Sequence, residues 1–307
     1  MLMQAYPSFT DKALGNVSDS FSKNWITEGA YCKKALQQFK SKTGLHHAFF
    51  APNGTLAIYL ALLALDLPKG SKVIVPSFTF YGSVTPIIFA GLEPVFVDCN
   101  EHTYQVDTDC LEEAIDEATS AIMAVDIYGR MCDIKRLRSI CDKNDLVLIE
   151  DAAQGVGVFD EDGCHAGTHA DVSTFSLFAD KSFSTGEGGI IATNSAQLAE
   201  KIMLLRNQGR PNSGTFIHPS LGMNFRVTDL HGGLALEQFE KWENVRSQRQ
   251  ERWSRWEKAL KKYDFLQLHD VGILKNSVPF RFAFTSDHSD GIIKILEEND
   301  IMVRGFF

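Results

Sequence analysis

Between about residue 44 and residue 195 the chain repeats one alternation, and that alternation narrows the possible folds most. Short β-branched or apolar runs recur: His47–Phe50, Lys72–Val75, Pro94–Val97, Ala121–Val125 and Leu146–Ile149. Between them lie longer segments with helical spacing: Leu56–Ala64, Val84–Ala90, Leu111–Glu117 and Ile134–Lys143. A run that is apolar on both faces needs cover on both faces. Parallel neighbours also need a crossover long enough to hold a helix. The pattern therefore predicts an α/β fold, a mainly parallel central sheet with helices on both faces. Several runs deliver an acid at their carboxyl end: Asp98 after Val97, Asp126 after Val125, and Glu150-Asp151 after Ile149. Ligands of such sheets gather at that end.

Past the turn at Gly209–Gly214, a helical stretch runs from about Thr228 to Tyr263. It leads to a tail with one expected strand, Pro279–Thr285, and one expected helix, Asp290–Asn299. The organisation expected is a large domain over residues 1–240 and a small α+β domain over 241–307. No internal repeat or low-complexity segment interrupts it.

Charge excludes one class of partner. Lys and Arg number 30 against 39 Asp and Glu, a net charge of −9, with no basic block to meet phosphate chains. The richest apolar stretch, Ala57–Leu67, is short and contains Asp66, so no membrane span is expected. Met1–Pro7 lacks the basic and apolar regions of a signal peptide, which points to the cytoplasm. The six cysteines form no Cys-x-x-Cys pair and have no His at zinc-finger spacing. They read as reduced thiols, and no metal site is expected.

Four segments carry chemistry. Lys181 sits in an apolar, hydroxyl-rich loop, Phe175–Gly189, that ends in a Gly-rich turn. A surface lysine is the bland reading; a Schiff-base nucleophile is the sharp one. Asp151 ends an apolar strand thirty residues earlier, where it is either a helix cap or the partner of a cationic ring nitrogen. Ala51-Pro52-Asn53-Gly54-Thr55 turns a strand into a helix whose first N–H groups suit a phosphate, although Asn-Gly is also an ordinary turn. Phe78 and Phe80 follow the strand Lys72–Val75 and could pack in the core or stack on a flat ring.

Taken in order, these segments resemble the sugar aminotransferases of the DegT/DnrJ/EryC1/StrS family, pyridoxal phosphate (PLP) enzymes of fold type I. The match runs from about Trp25 to Arg249, with a weaker continuation to Arg304. Further family-like stretches are Trp25–Gly29, Thr103–Asp107, Tyr128-Gly129, Arg206–Arg210 and Asn224–Leu230. The resemblance implies that Lys181 is the cofactor-bearing lysine and Asp151 the partner of the pyridine nitrogen. It also implies Gln154 near the phenolic oxygen, Phe80 on one ring face, and Gly54, Thr55 and Ser176 on the phosphate. Asn224 would reach the phosphate of a neighbouring subunit, which makes the site a shared one in a homodimer. Thr27 and Arg226 would face substrate; without the resemblance, Asn224 and Arg226 read as a loop with an ion pair to Asp229.

The implied reaction moves an amino group from an amino acid, usually L-glutamate, to a nucleotide-linked keto-sugar for polysaccharide, lipopolysaccharide or antibiotic sugars. Lys181 favours this over the family's dehydratases, which carry His there. Three departures stand out. Asp126 occupies a position that is often His, Met131-Cys132 matches loosely, and family members usually continue for several dozen residues beyond Arg304. The small domain is therefore expected to be shortened, with Phe306-Phe307 a strand cut off or covered. Alternatives are a PLP-binding member of reduced or no activity that acts as a partner or regulator, a PLP sugar dehydratase, and a cyclitol aminotransferase.

Overall fold

A computed structural model describes residues 2–3, 7–212 and 214–306. Seven strands form the main sheet: β1 (His47–Ala51), β2 (Lys72–Pro76), β3 (Glu93–Val97), β4 (Thr119–Val125), β5 (Val147–Asp151), β6 (Val172–Ser176) and β7 (Gly189–Thr193). Their order is β1-β7-β6-β5-β4-β2-β3. All neighbours pair parallel except β7, which runs antiparallel to both β1 and β6. A second sheet pairs β8 (Gln267–Leu268) with β9 (Phe284–Thr285).

Among the described residues, ten α-helices surround the sheets: α1 (Asp11–Ser22), α2 (Ala30–Thr43), α3 (Gly54–Leu65), α4 (Thr85–Phe89), α5 (Thr108–Glu113), α6 (Ile134–Asn144), α7 (Ala196–Arg206), α8 (Asp229–Glu240), α9 (Trp242–Leu260) and α10 (Ser289–Glu298). Alternate strand residues feed different cores, as the period of two requires. Val73, Val75, Met123 and Ile149 pack with α3 and α7 residues such as Leu60 and Ile202. Ile74, Ile122 and Leu148 point to the other face, against Leu137 and Ile140 of α6. Farther along that face Phe39, Phe175, Phe183, Phe239 and Trp242 form an aromatic cluster with ring centroids about 5–6.5 Å apart. Burying such rings and aliphatic chains supplies most of the folding free energy, at roughly 25 cal/mol per Å².

The helix expected from Thr228 to Tyr263 is two helices that meet at Lys241, whose ψ of 14° leaves the helical range. No Gly or Pro marks this break; it lets Trp242, 1% exposed, enter the aromatic cluster. The expected strand Pro279–Thr285 pairs only at Phe284–Thr285. Before that, Val278 N–H donates to Gly129 O (3.1 Å) and Phe280 N–H to Tyr128 O (2.9 Å). The segment lies along a turn of the main domain, and its backbone groups are already used there. Phe306 packs edge-on against Phe78, with centroids 5.2 Å apart. Met1, Gln4–Tyr6, Ser213 and Phe307, on which the leader and terminal-strand expectations partly rest, lie outside the described residues. Among the described residues, no helix is long and apolar enough to cross a membrane.

Candidate active site

A cleft of about 2030 Å³ opens at the carboxyl ends of β2, β4, β5 and β6. Seven of the residues singled out in the sequence line it: Gly54, Thr55, Phe80, Asp151, Gln154, Ser176 and Lys181. Each is delivered by a local device. The Asn53 side chain accepts from Leu56 N–H (2.9 Å) and so starts α3 at Gly54. The first N–H groups of a helix have no partner within it, and here they border the cleft. A Cβ on Gly54 would stand 3.1 Å from Ser176 Cβ, so the helix start and the end of β6 approach closely.

Asp151 ends β5 and is 4% exposed. Ser83 donates to its Oδ2 (2.6 Å) and Ala153 N–H to its Oδ1 (3.1 Å). Thr79 Oγ1 lies 2.8 Å from Ser83 Oγ, which extends the chain of hydroxyls behind the acid. Burial raises the Asp151 pKa, and those two hydrogen bonds and the charge of Lys181 oppose the rise.

Lys181 sits in the turn after β6, held by its N–H donating to Phe178 O (2.9 Å). Its Nζ lies 4.5 Å from the Phe280 ring centroid and 3.8 Å from Asp180 Oδ1. Burial lowers the lysine pKa; Asp180 and Asp151 oppose that, and Arg281 adds to it. Asp180 is engaged on its other oxygen by Arg281 Nη2 at 2.6 Å. Gln154 Oε1 accepts from Tyr128 N–H (2.8 Å), at a residue held with φ of 56°. The next residue, Gly129, has φ of 80°, and a Cβ there would lie 1.9 Å from Val278 O. Only glycine permits the tail segment to dock on this turn.

Thr27, Asn224 and Arg226 do not line this cleft. They line a second hollow of about 270 Å³ with Pro52, Val227, Thr228 and His231. The ion pair from Arg226 to Asp229 is not formed. Asp229, 3% exposed, instead accepts from the N–H groups of Gly29, Tyr31 and Cys32 at 2.8–3.2 Å and caps α2. Arg226 Nη1 donates to Asn207 Oδ1 (2.6 Å), and Asn224 Oδ1 accepts from Arg226 N–H (3.2 Å).

Sequence reading missed Ser83, Thr79, Arg281 and Asp180. The only cue for Ser83 is a small hydroxyl residue in the turn after β2. It also missed what Asp126 does. Asp126 and Glu150, 1% and 0% exposed, face each other beneath the cleft. Cys132 N–H donates to Asp126 Oδ1 (3.0 Å) and Gly167 N–H to Glu150 Oε1 (2.8 Å). Each acid retains one buried oxygen with no other partner. Burial raises both pKa values, Asp126 to about 6 and Glu150 well above its usual range, and for Glu150 the adjacent Asp126 charge adds to the rise.

The sequence matches the DegT/DnrJ/EryC1/StrS aminotransferase family over residues 7–307. A GDP-perosamine synthase of Vibrio cholerae is 33% identical over 310 residues, covering 98% of this chain and 83% of that one. A GDP-perosamine synthase of Caulobacter vibrioides is 37% identical over 226 residues, covering 73% of this chain and 61% of the relative, less than two thirds of it. Among solved structures, a GDP-4-keto-6-deoxymannose-3-dehydratase superposes with a TM-score of 0.92 at 25% identity, over 100% of this chain and 86% of that one. NtdA of Bacillus subtilis, solved with bound PMP, gives 0.87 at 26% identity, over 97% and 68%.

Proposed function

The chain belongs to the DegT/DnrJ/EryC1/StrS aminotransferase family and is a PLP-dependent sugar aminotransferase; we propose that it transfers the amino group of L-glutamate to a GDP-linked keto-sugar, as a cytoplasmic homodimer with shared sites. The GDP-perosamine synthase relatives support the nucleotide and the amino-sugar product. One observation carries the reading: Lys181, Asp151 and the start of α3 converge on one cleft.

The cleft fits the cofactor on its own chemistry. Asp151 is a buried acid whose partners are one hydroxyl and one amide, which leaves it suited to a cationic N–H. The helix start beside Ser176 is a site for a phosphate dianion. Bound PLP supplies an electron sink conjugated to the amine-bearing carbon.

The chain's own groups do the rest. Ionised Asp151 keeps the ring nitrogen protonated. Gly54, Thr55 and Ser176 would hold the phosphate, Phe80 would cover one ring face, and Gln154 would reach the phenolic oxygen. Lys181 anchors the cofactor through Nζ. With the cofactor and an amino donor bound, Lys181 Nζ would be the group placed to act as general base and acid, taking and returning the proton of the donor α-carbon. Burial favours its neutral form, the one able to accept that proton. Asn224 and Arg226 serve the partner's cleft, and Thr27 meets substrate there. In this reading residues 1–240 form the large cofactor-binding domain and 241–307 the small one.

The test is a panel of GDP-, UDP- and dTDP-linked keto-sugars incubated with enzyme and L-glutamate, with products read by mass spectrometry. An aminated GDP-sugar accompanied by 2-oxoglutarate is expected. Amination of only a UDP- or dTDP-sugar overturns the nucleotide assignment, and no amination of any member overturns the reading.

A further inference from the structure

The loop that joins Gln154 to Ser176 carries a group of side chains that the transamination does not use. Among the described residues, Asp160, Cys164 and His169 bring a carboxylate oxygen, a thiol sulfur and a ring nitrogen within 4.8 Å of one another. All three are partly buried.

The backbone fixes their directions. Phe159 and His165 pair as a two-residue bridge, and Asp160 N–H donates to Cys164 O (2.8 Å), closing a short hairpin. Gly163 turns it with φ of 83°. Asp160 Oδ1 accepts from the N–H groups of Asp162 (2.9 Å) and Cys164 (2.8 Å), so that oxygen is consumed by the turn. Oδ2 is thereby aimed at His169, whose Nε2 lies 2.9 Å away. Thr168 Oγ1 donates to His165 O (2.7 Å) and shapes the turn that presents His169. His165 itself belongs to a different environment. It is buried, its Nε2 accepts from Gly157 N–H (2.9 Å), and burial pushes its pKa down to about 3.

Thiolate sulfur, imidazole nitrogen and carboxylate oxygen together are a donor set for Zn²⁺ and its first-row neighbours rather than for Mg²⁺ or Ca²⁺. We propose that this loop is a divalent transition-metal site of the Zn²⁺ class, with Asp160 Oδ2, Cys164 Sγ and His169 Nε2 as ligands and one position open to solvent. A metal would replace the Asp160–His169 hydrogen bond and displace Lys135 Nζ, now 3.4 Å from Asp160 Oδ2. Lys135 keeps a partner when displaced, because it also pairs with Asp162. The site lies in sequence between two cofactor-cleft residues, so occupancy would stiffen their connection without touching the reaction.

The test uses PLP-loaded full-length protein titrated with Zn²⁺ by calorimetry and with Co²⁺ by difference absorption spectroscopy. One equivalent of Zn²⁺ should bind. Co²⁺ should give a near-ultraviolet sulfur-to-metal charge-transfer band and visible ligand-field bands. Cys164→Ser should abolish the charge-transfer band, and Asp160→Asn or His169→Ala should weaken Zn²⁺ binding by about tenfold or more. Lys135→Ala, which removes the competing cation, should tighten it. Absence of Zn²⁺ binding overturns the proposal, as does a charge-transfer band that survives Cys164→Ser. So does Zn²⁺ affinity unchanged in both Asp160→Asn and His169→Ala, which would leave the trio an ordinary ion-pair cluster.

Discussion

Two hollows of this chain back onto the same turn. Asn53 lines the large cleft and Pro52 the small hollow, yet the two are built differently. In the cleft, strand ends and a helix start hold each polar group from below. Ser83 steadies Asp151, Tyr128 N–H fixes Gln154, and Asn53 caps the helix beside Thr55. In the small hollow the polar groups hold one another: Arg226 is tied to Asn207 and to its neighbour Asn224. The first arrangement suits a resident ligand gripped by a single chain. Asn224 and Arg226 line the second hollow and not their own cleft, and in the proposed dimer they complete the cleft of the partner.

The comparison can be broken at its strongest point first. Lys181→Ala should lower turnover by on the order of 10²–10⁴-fold or more, measured as aminated product per enzyme. Wild-type rates in that variant would detach the cleft from the chemistry. Asp151→Asn should retain cofactor in the cleft but lower kcat by about 10²–10³-fold, because the ring nitrogen loses its ionic partner. An unchanged kcat would assign Asp151 a structural role only.

The small hollow has its own discriminating experiment. Asn224→Ala subunits mixed with Lys181→Ala subunits, under conditions of demonstrated exchange, should regain measurable activity through the one intact site of each hybrid dimer. Absence of rescue would return Asn224 to its own cleft. Ser83→Ala tests the support beneath Asp151. A hydrogen bond to a buried charge contributes about 1.5–3 kcal/mol, so kcat/KM should fall by roughly ten- to a hundredfold. No fall would mean that Ala153 N–H alone holds the carboxylate.

The smallest effect concerns the acids under the cleft. A carboxyl whose pKa is raised by folding keeps its proton in the native state and releases it on unfolding. Its contribution to stability therefore declines as pH rises above the unfolded value. Glu150→Gln removes that decline while preserving an acceptor for Gly167 N–H and a donor toward Asp126. Relative to wild type, the variant should gain stability in urea unfolding between pH 5 and pH 8. A difference that does not vary with pH would show that folding does not raise the Glu150 pKa.

Much of this was legible in the residues. Runs such as Leu146–Ile149, apolar on both faces, announce central strands, and the acid that follows has to emerge at the sheet end. Asp151 and Lys181 were readable because each combines an unusual residue with a distinctive local frame. Other features were not, because their causes are distant in sequence. The reversal of β7 depends on how it pairs with β1, about 140 residues earlier. The break at Lys241 follows from the burial of Trp242 and has no local breaker. The tie from Ser83 to Asp151 spans 68 residues. Asp229, three residues after Arg226, looks like its ion-pair partner. Capping α2 across about 200 residues satisfies three N–H groups at once, that of Cys32 buried, and that outcome wins.

The central claim is that Lys181 is the residue to which PLP attaches. Purified protein incubated with PLP, reduced with borohydride, digested and sequenced by mass spectrometry tests it most directly. One phosphopyridoxyl group is expected on the peptide that contains Lys181, lost when L-glutamate is added before reduction. A label on another lysine, or no label with PLP in excess, would contradict it.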